Sequence, residues 1–153
     1  MPGCGDIWRI PRLAATMVVG AAPLACTLPP TPGADNPFIG TWATPEQASI
    51  SIRPETIVQH QANGANTTLD KGACGGVFRF AYGTKSRQAL TNLLPRQPEL
   101  QRRLSDLLVE PSYSVAELNC DRGDQTYVLL NDRQLLAIYR DGEIGAIDRL
   151  ARR

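Results

Sequence analysis

Histidine, long apolar runs and net charge are all scarce in this chain of 153 residues. His60 is the only histidine. One imidazole and two spare cysteines fall short of a metal site, so no metal ligand set and no cofactor is expected. The longest apolar run, Leu13 to Leu24, is about twelve residues, against roughly 20 for a membrane-spanning helix. Gly20 and Pro23 interrupt it, and no later stretch is apolar enough to span. The formal net charge is +1, a balance that argues against a general nucleic-acid or anionic-lipid surface. Only Lys71 and Lys85 are lysines, the other bases being arginine. No internal repeat is present.

What the chain does have begins at its start. Asp6, Arg9 and Arg12 precede the apolar run, and Ala25-Cys26 closes it. Positive charge, a short apolar core and a small residue at a processing point predict an export signal over residues 1–25. Its end, Pro23-Leu24-Ala25-Cys26, resembles a bacterial lipoprotein signal. In that family a cysteine directly follows the cleavage point, is lipidated and becomes the new first residue. The resemblance implies Cys26 as the lipidation site and a membrane partner reached through the anchor. Thr27, rather than Asp, follows the cysteine, which points to the outer membrane, facing the periplasm. Pro23 stands where the family usually has Leu, and soluble secretion is the alternative. "TLPPTPGADNP" (27–37) has four prolines and no apolar periodicity, the composition of a semi-rigid spacer. Residues 26–37 are then a lipidated cysteine with a tether, and residues 38–153 a single globular domain.

Removing residues 1–26 takes away Asp6, Arg9 and Arg12, and leaves 127 residues with 14 basic and 14 acidic side chains. That is one domain's worth of chain, able to bury a core without a metal. Cys4 leaves with the signal and Cys26 takes the lipid, so Cys74 and Cys120 remain. In an oxidising compartment this pair is expected to form a disulfide, closing a loop of about 45 residues and stabilising the fold by roughly 4 kcal/mol.

Within the domain, 36–43 reads as a first strand with Phe38, Gly40 and Trp42 in one phase. Residues 48–60 read as a hairpin: Ile50 and Ile52 alternate with polar residues, Pro54-Glu55 turns the chain, and Ile57 returns opposite Ile52. Residues 61–73 read as a polar loop and 75–83 as a strand with Phe78, Phe80 and Tyr82 on one face. The period then changes. Residues 86–94 predict a short helix capped by Ser86, and 98–109 a second opening on Pro98, with Leu100, Leu104, Leu107 and Leu108 on one face. Strands at 112–119, 125–130, 134–140 and 143–149 form a meander. Its Asp141-Gly142 turn would set Arg140 opposite Glu143. The fold class expected is α+β: an antiparallel sheet or partial barrel with a central helical pair and a C-terminal β-meander.

Few residues suggest a site. Gly40-Thr41-Trp42 is similar to the G-x-W signature of lipocalins and related calycin barrels, where the Trp plugs one end of a small barrel. The resemblance implies a late arginine on Trp42, either Arg140 or Arg149, and an interior able to hold a small apolar ligand. The plain alternative is a core tryptophan on an edge strand. "GACGG" (72–76) could hold Cys74 as a nucleophile, with His60 as base and Asp70 to orient it. Cys120 competes for that sulfur, and a structural disulfide is the preferred reading. Arg122-Gly123-Asp124 spells an integrin-adhesion tripeptide but is also good turn chemistry. Arg79, Lys85, Arg87, Arg96, Arg102 and Arg103 make the middle basic, either as a patch for an acidic partner or as solvated faces. Asn66-Thr67-Thr68 matches a glycosylation sequon, idle beside a bacterial-type signal. The function expected is a non-enzymatic envelope lipoprotein that binds a protein partner or supports an assembly. The alternative is a calycin-like carrier of a small ligand or a periplasmic enzyme inhibitor.

Overall fold

The computed structural model describes residues 36–120 and 123–153. The export signal, Cys26, most of the tether and Arg122 lie outside the described residues. Nine strands form one antiparallel sheet: β1 (Gly40–Ala43), β2 (Ser49–Arg53), β3 (Thr56–His60), β4 (Asn66–Leu69), β5 (Arg79–Ser86), β6 (Ser112–Asn119), β7 (Asp124–Asn131), β8 (Gln134–Asp141) and β9 (Ile144–Arg152). Helices α1 (Arg87–Thr91) and α2 (Pro98–Leu107) join β5 to β6. The sheet order is β4-β3-β2-β1-β9-β8-β7-β6-β5. Every neighbour in that order is also a neighbour in sequence, except that the first strand pairs with the last. The chain therefore runs up and down around an incomplete circle, and the break lies between β4 and β5.

Local sequence accounts for most of this. Pro54-Glu55 turns β2 into β3 with Ile52 opposite Ile57, as the alternation requires. Ser86 caps α1 by accepting from the Ala89 amide at 3.2 Å, and Pro98 opens α2 at its first turn. Leu104 and Leu108 are fully buried, and Leu100 and Leu107 pack beside them. The helical pair is central in sequence but not in space. It covers one face of the sheet, and the strands before and after it belong to the same sheet.

That arrangement explains the C-terminal composition. β6 to β8 are covered on both faces, and β9 adds buried Ile147 and Leu150, so neighbouring residues enter opposite cores. Ala116, Tyr127, Leu135, Ala137 and Leu150 point into the curve with Trp42 and Ile57. Val115, Val128, Leu136, Ile138 and Ile147 face Leu90, Leu94 and Leu104 of the helical layer. A strand buried on both sides reads as a continuous apolar run, as in the Leu135–Ile138 segment of β8.

Beyond a first strand that begins at Gly40 and a first helix that ends at Thr91, three expectations need correcting. Residues 61–73 are not all loop, because β4 pairs with β3, setting His60 opposite Asn66. The 75–83 strand begins later, at Arg79, because Asp70 to Gly76 turn tightly: Gly75 and Gly76 take φ of +63° and +95°. The last hairpin is shifted, with Asp141 opposite Ile144 and Arg140 opposite Gly145. Its loop is Gly142-Glu143, and only Gly142 has positive φ. Glycine at the first loop position suits a type II′ turn, which matches the strand twist as well as the expected type I′.

The helix connection seats on β9 at Gly145. A Cβ there would stand 2.5 Å from Leu94 Cδ2 and 3.1 Å from the Gln97 amide, so the buried Leu94 side chain would have to shift. Gly145→Ala should therefore cost roughly 1–3 kcal/mol in urea unfolding through overpacking, and an unchanged midpoint would show that the helical layer moves freely.

Candidate functional site

The inside of the curve is filled rather than hollow. Trp42, Ile52, Ile57, Tyr127, Leu135 and Leu150 are all buried there at 1% exposure or less. Trp42 donates its indole N–H to the Phe38 carbonyl at 3.0 Å, so its one polar atom is satisfied without water. The Arg152 guanidinium lies 4.9 Å from the Trp42 ring centre and donates to the Pro37 and Ile39 carbonyls at 2.9 and 3.0 Å. The arginine on Trp42 is thus neither of the two expected. Arg140 pairs with Asp124, and Arg149 donates to Gln134 at 2.6 Å. The β1–β9 pairing places Trp42 directly opposite Arg152, a juxtaposition set by register between chain ends and invisible to local pattern.

A recess of about 290 Å³ opens at the other end of the curve, bordered by Ile50, Gln59, His60, Gln125, Tyr139 and Asp148. Burial pushes the Tyr139 phenol upward, and the Asp148 charge adds to it. Burial also raises the Asp148 carboxyl pKa, the Glu46 charge raises it further, and Arg103 pulls the other way. A carboxyl with a raised folded-state pKa binds its proton more tightly folded than unfolded. Its contribution is fully present below the ordinary carboxylate value and is lost as pH rises through the raised one. Asp148→Asn should therefore raise the melting temperature at neutral pH and leave it unchanged in strong acid. A lower neutral-pH melting temperature would show that Asp148 gains more from Arg103 than it loses to burial.

Cys74 and Cys120 form a disulfide with Cα atoms 4.7 Å apart, and both are buried. That bond removes Cys74 as a nucleophile in the oxidised protein. His60 is exposed and hydrogen-bonds Asn66 Oδ1 through Nδ1 at 2.8 Å, so it braces the β3–β4 edge. The Asp70 carboxylate accepts from the Ala73 amide at 2.8 Å and shapes the cysteine turn. Asp124 of the adhesion-like tripeptide is ion-paired to Arg140 at the start of β7.

The basic middle is partly neutralised. Lys85 pairs with Glu117 at 3.0 Å, Arg96 with Glu143 and Arg102 with Glu99 at 3.4 Å. Arg87 donates to the Ser105 carbonyl at 2.8 Å. Among the described residues no carboxylate pairs with Lys71 or Arg79.

Among the described residues, the break in the circle leaves two sheet edges without a partner. β5 is eight residues long and pairs along its whole length with β6 on one side. Among the described residues nothing pairs with its other side. An edge of this length presents a row of unpaired backbone donors and acceptors. Phe78, Phe80 and Tyr82 form an aromatic ladder on the inner side of the edge. Their ring centres are 5.6 Å apart for Phe78–Phe80 and 5.8 Å for Phe80–Tyr82. Phe38 closes the ladder at 6.0 Å from Tyr82. Tyr82 is half exposed, as is Val77 just before the strand. The aromatic alternation was legible in sequence, but which strand would be left at an edge was not. No family model matches this chain, and no curated protein and no solved structure is similar to it.

Proposed function

We propose that this chain is a non-enzymatic envelope lipoprotein, anchored through Cys26, whose folded domain binds a protein partner at the break between β4 and β5. The observation that carries this reading is the long unpaired edge of β5 with half-exposed Tyr82 at the end of its aromatic ladder. A filled interior and a bonded Cys74 direct attention to the surface. Exposed aromatic side chains beside an open edge favour association with protein, since Tyr supplies large contact area at small entropic cost. A photo-crosslinking residue at position 82, compared with one at exposed Ile144, tests it in intact cells. A discrete protein adduct at 82 and none at 144 is expected, and equal or absent adducts would refute the surface.

A second reading is favoured by the guanidinium of Arg152 over Trp42 and by the pairing of first and last strands. Both fit a calycin-like domain acting as a small-ligand carrier or as an inhibitor of a periplasmic enzyme. The 290 Å³ recess lies at the lower limit for a small-molecule site. Protection of Gln125 and Asp148 methylene signals by an added apolar ligand would support the carrier, and unmoved signals would leave the partner-binding reading alone.

A further inference from the structure

We infer that the free edge of β5 accepts an extended peptide segment that alternates carboxylate with apolar side chains, adding a strand to the sheet. This inference rests on the partner-binding reading and specifies the partner's chemistry. Residues 71–98 contain Lys71, Arg79, Lys85, Arg87 and Arg96 and no Asp or Glu. The segment thus carries charge of one sign in sequence; in space Glu117 meets Lys85 and Glu143 meets Arg96, which leaves Arg79 as the cation on β5 that no described carboxylate meets. Arg79, Ala81, Gly83 and Lys85 occupy the outer phase of β5. Phe80 and Tyr82 occupy the inner phase, opposite Leu118 and Ala116 of β6.

A strand laid along the free edge would continue this alternation, because side chains of neighbouring strands share faces. Its outer residues would lie beside Arg79, whose charge no described carboxylate meets, so acidic residues are favoured there. Its inner residues would cover Phe80 and half-exposed Tyr82, so apolar residues are favoured there. Gly83 leaves open space on the outer side, with no atom within 4 Å of a Cβ built on it. Backbone pairing supplies the affinity, and the two faces supply the selectivity.

A second copy of the chain is a poorer occupant. Antiparallel pairing of two β5 strands centred on Tyr82 sets Arg79 opposite Lys85 of the other copy, and like charges directly opposite are destabilising. An anionic membrane would meet the same cations but would leave the backbone edge unpaired.

The test uses the oxidised chain and labelled peptides followed by fluorescence anisotropy. The probes are an alternating Glu-Val peptide, a Lys-Val peptide, and a Glu-Val peptide N-methylated at alternate residues so that one edge cannot donate. Binding of the first, at least about tenfold tighter than either control, is expected. Arg79→Glu should reverse the Glu/Lys preference by about tenfold, and Tyr82→Ala should weaken both peptides, while the Cys74–Cys120 bond and melting temperature report that each variant is folded. Equal binding of the N-methylated peptide overturns strand addition. Equal binding of acidic and basic peptides overturns the charge assignment. Dimerisation that competes with the peptide, or adsorption to anionic vesicles with no peptide preference, overturns the proposed occupant. A position-82 adduct in cells together with no peptide binding would defeat this inference alone, and loss of both would defeat the partner-binding reading as well.

Discussion

Replacing Cys74 and Cys120 together by alanine is expected to lower the stability of the folded domain by about 4 kcal/mol. The bond spans a sequence separation of 46 residues, and most of its effect comes from restricting the unfolded chain. Its position adds a local consequence. Cys74 sits in the turn leading into β5, and Cys120 directly follows β6, so the bond ties the entry of the edge strand to the end of its only described partner. Urea unfolding of the oxidised protein, the reduced protein and the double variant measures the effect. The reduced and double-variant midpoints should coincide well below the oxidised one. Three coincident midpoints would show that the bond contributes nothing. β5 should also lose amide protection early in the variant, because the bond no longer holds its entry to the end of β6, its one described neighbour.

Trp42→Ala is expected to cost roughly 3–5 kcal/mol, the range for removing a large aromatic side chain from a close-packed core. Trp42 is fully buried and meets residues from both ends of the chain: the Phe38 carbonyl accepts its N–H, and Arg152 covers its ring. Trp42→Phe should recover most of the packing but lose the hydrogen bond, at about 1 kcal/mol. Arg152→Ala should cost about 1 kcal/mol through the cation–π contact alone. A double-mutant cycle between positions 42 and 152 should show coupling, because the two side chains touch. Additive effects would mean that Arg152 acts only through its bonds to the Pro37 and Ile39 carbonyls.

Local chemistry made much of the fold legible. Pro54-Glu55 fixed one hairpin, Ser86 and Pro98 fixed two helix starts, and apolar alternation located the four C-terminal strands within three residues at every end. Cys74 and Cys120 form the expected disulfide. What local pattern could not carry was long-range pairing. Asn66–Leu69 carries a single apolar residue, the buried Leu69, so no alternation marked it as a strand. Gly142-Glu143 displaced Asp141-Gly142 as the turn because one positive φ suffices for the type II′ geometry. The arginine over Trp42 is neither of the two candidates, because its place is fixed by β1–β9 register, across 110 residues between Trp42 and Arg152. The same limit applied to the site. The Phe78, Phe80, Tyr82 ladder was readable as one face of a strand, but a face becomes a candidate surface only when the sheet order leaves that strand at the break.

Amide hydrogen exchange along β5 tests the central claim most directly, comparing the purified oxidised protein with the protein in the envelope proposed for it. The outward-facing amides of Arg79–Ser86 should exchange freely in the purified protein and become protected in the envelope, while the β8–β9 turn at Gly142-Glu143 stays unchanged. Equal exchange of β5 in both settings would contradict the assignment of this edge as the binding surface.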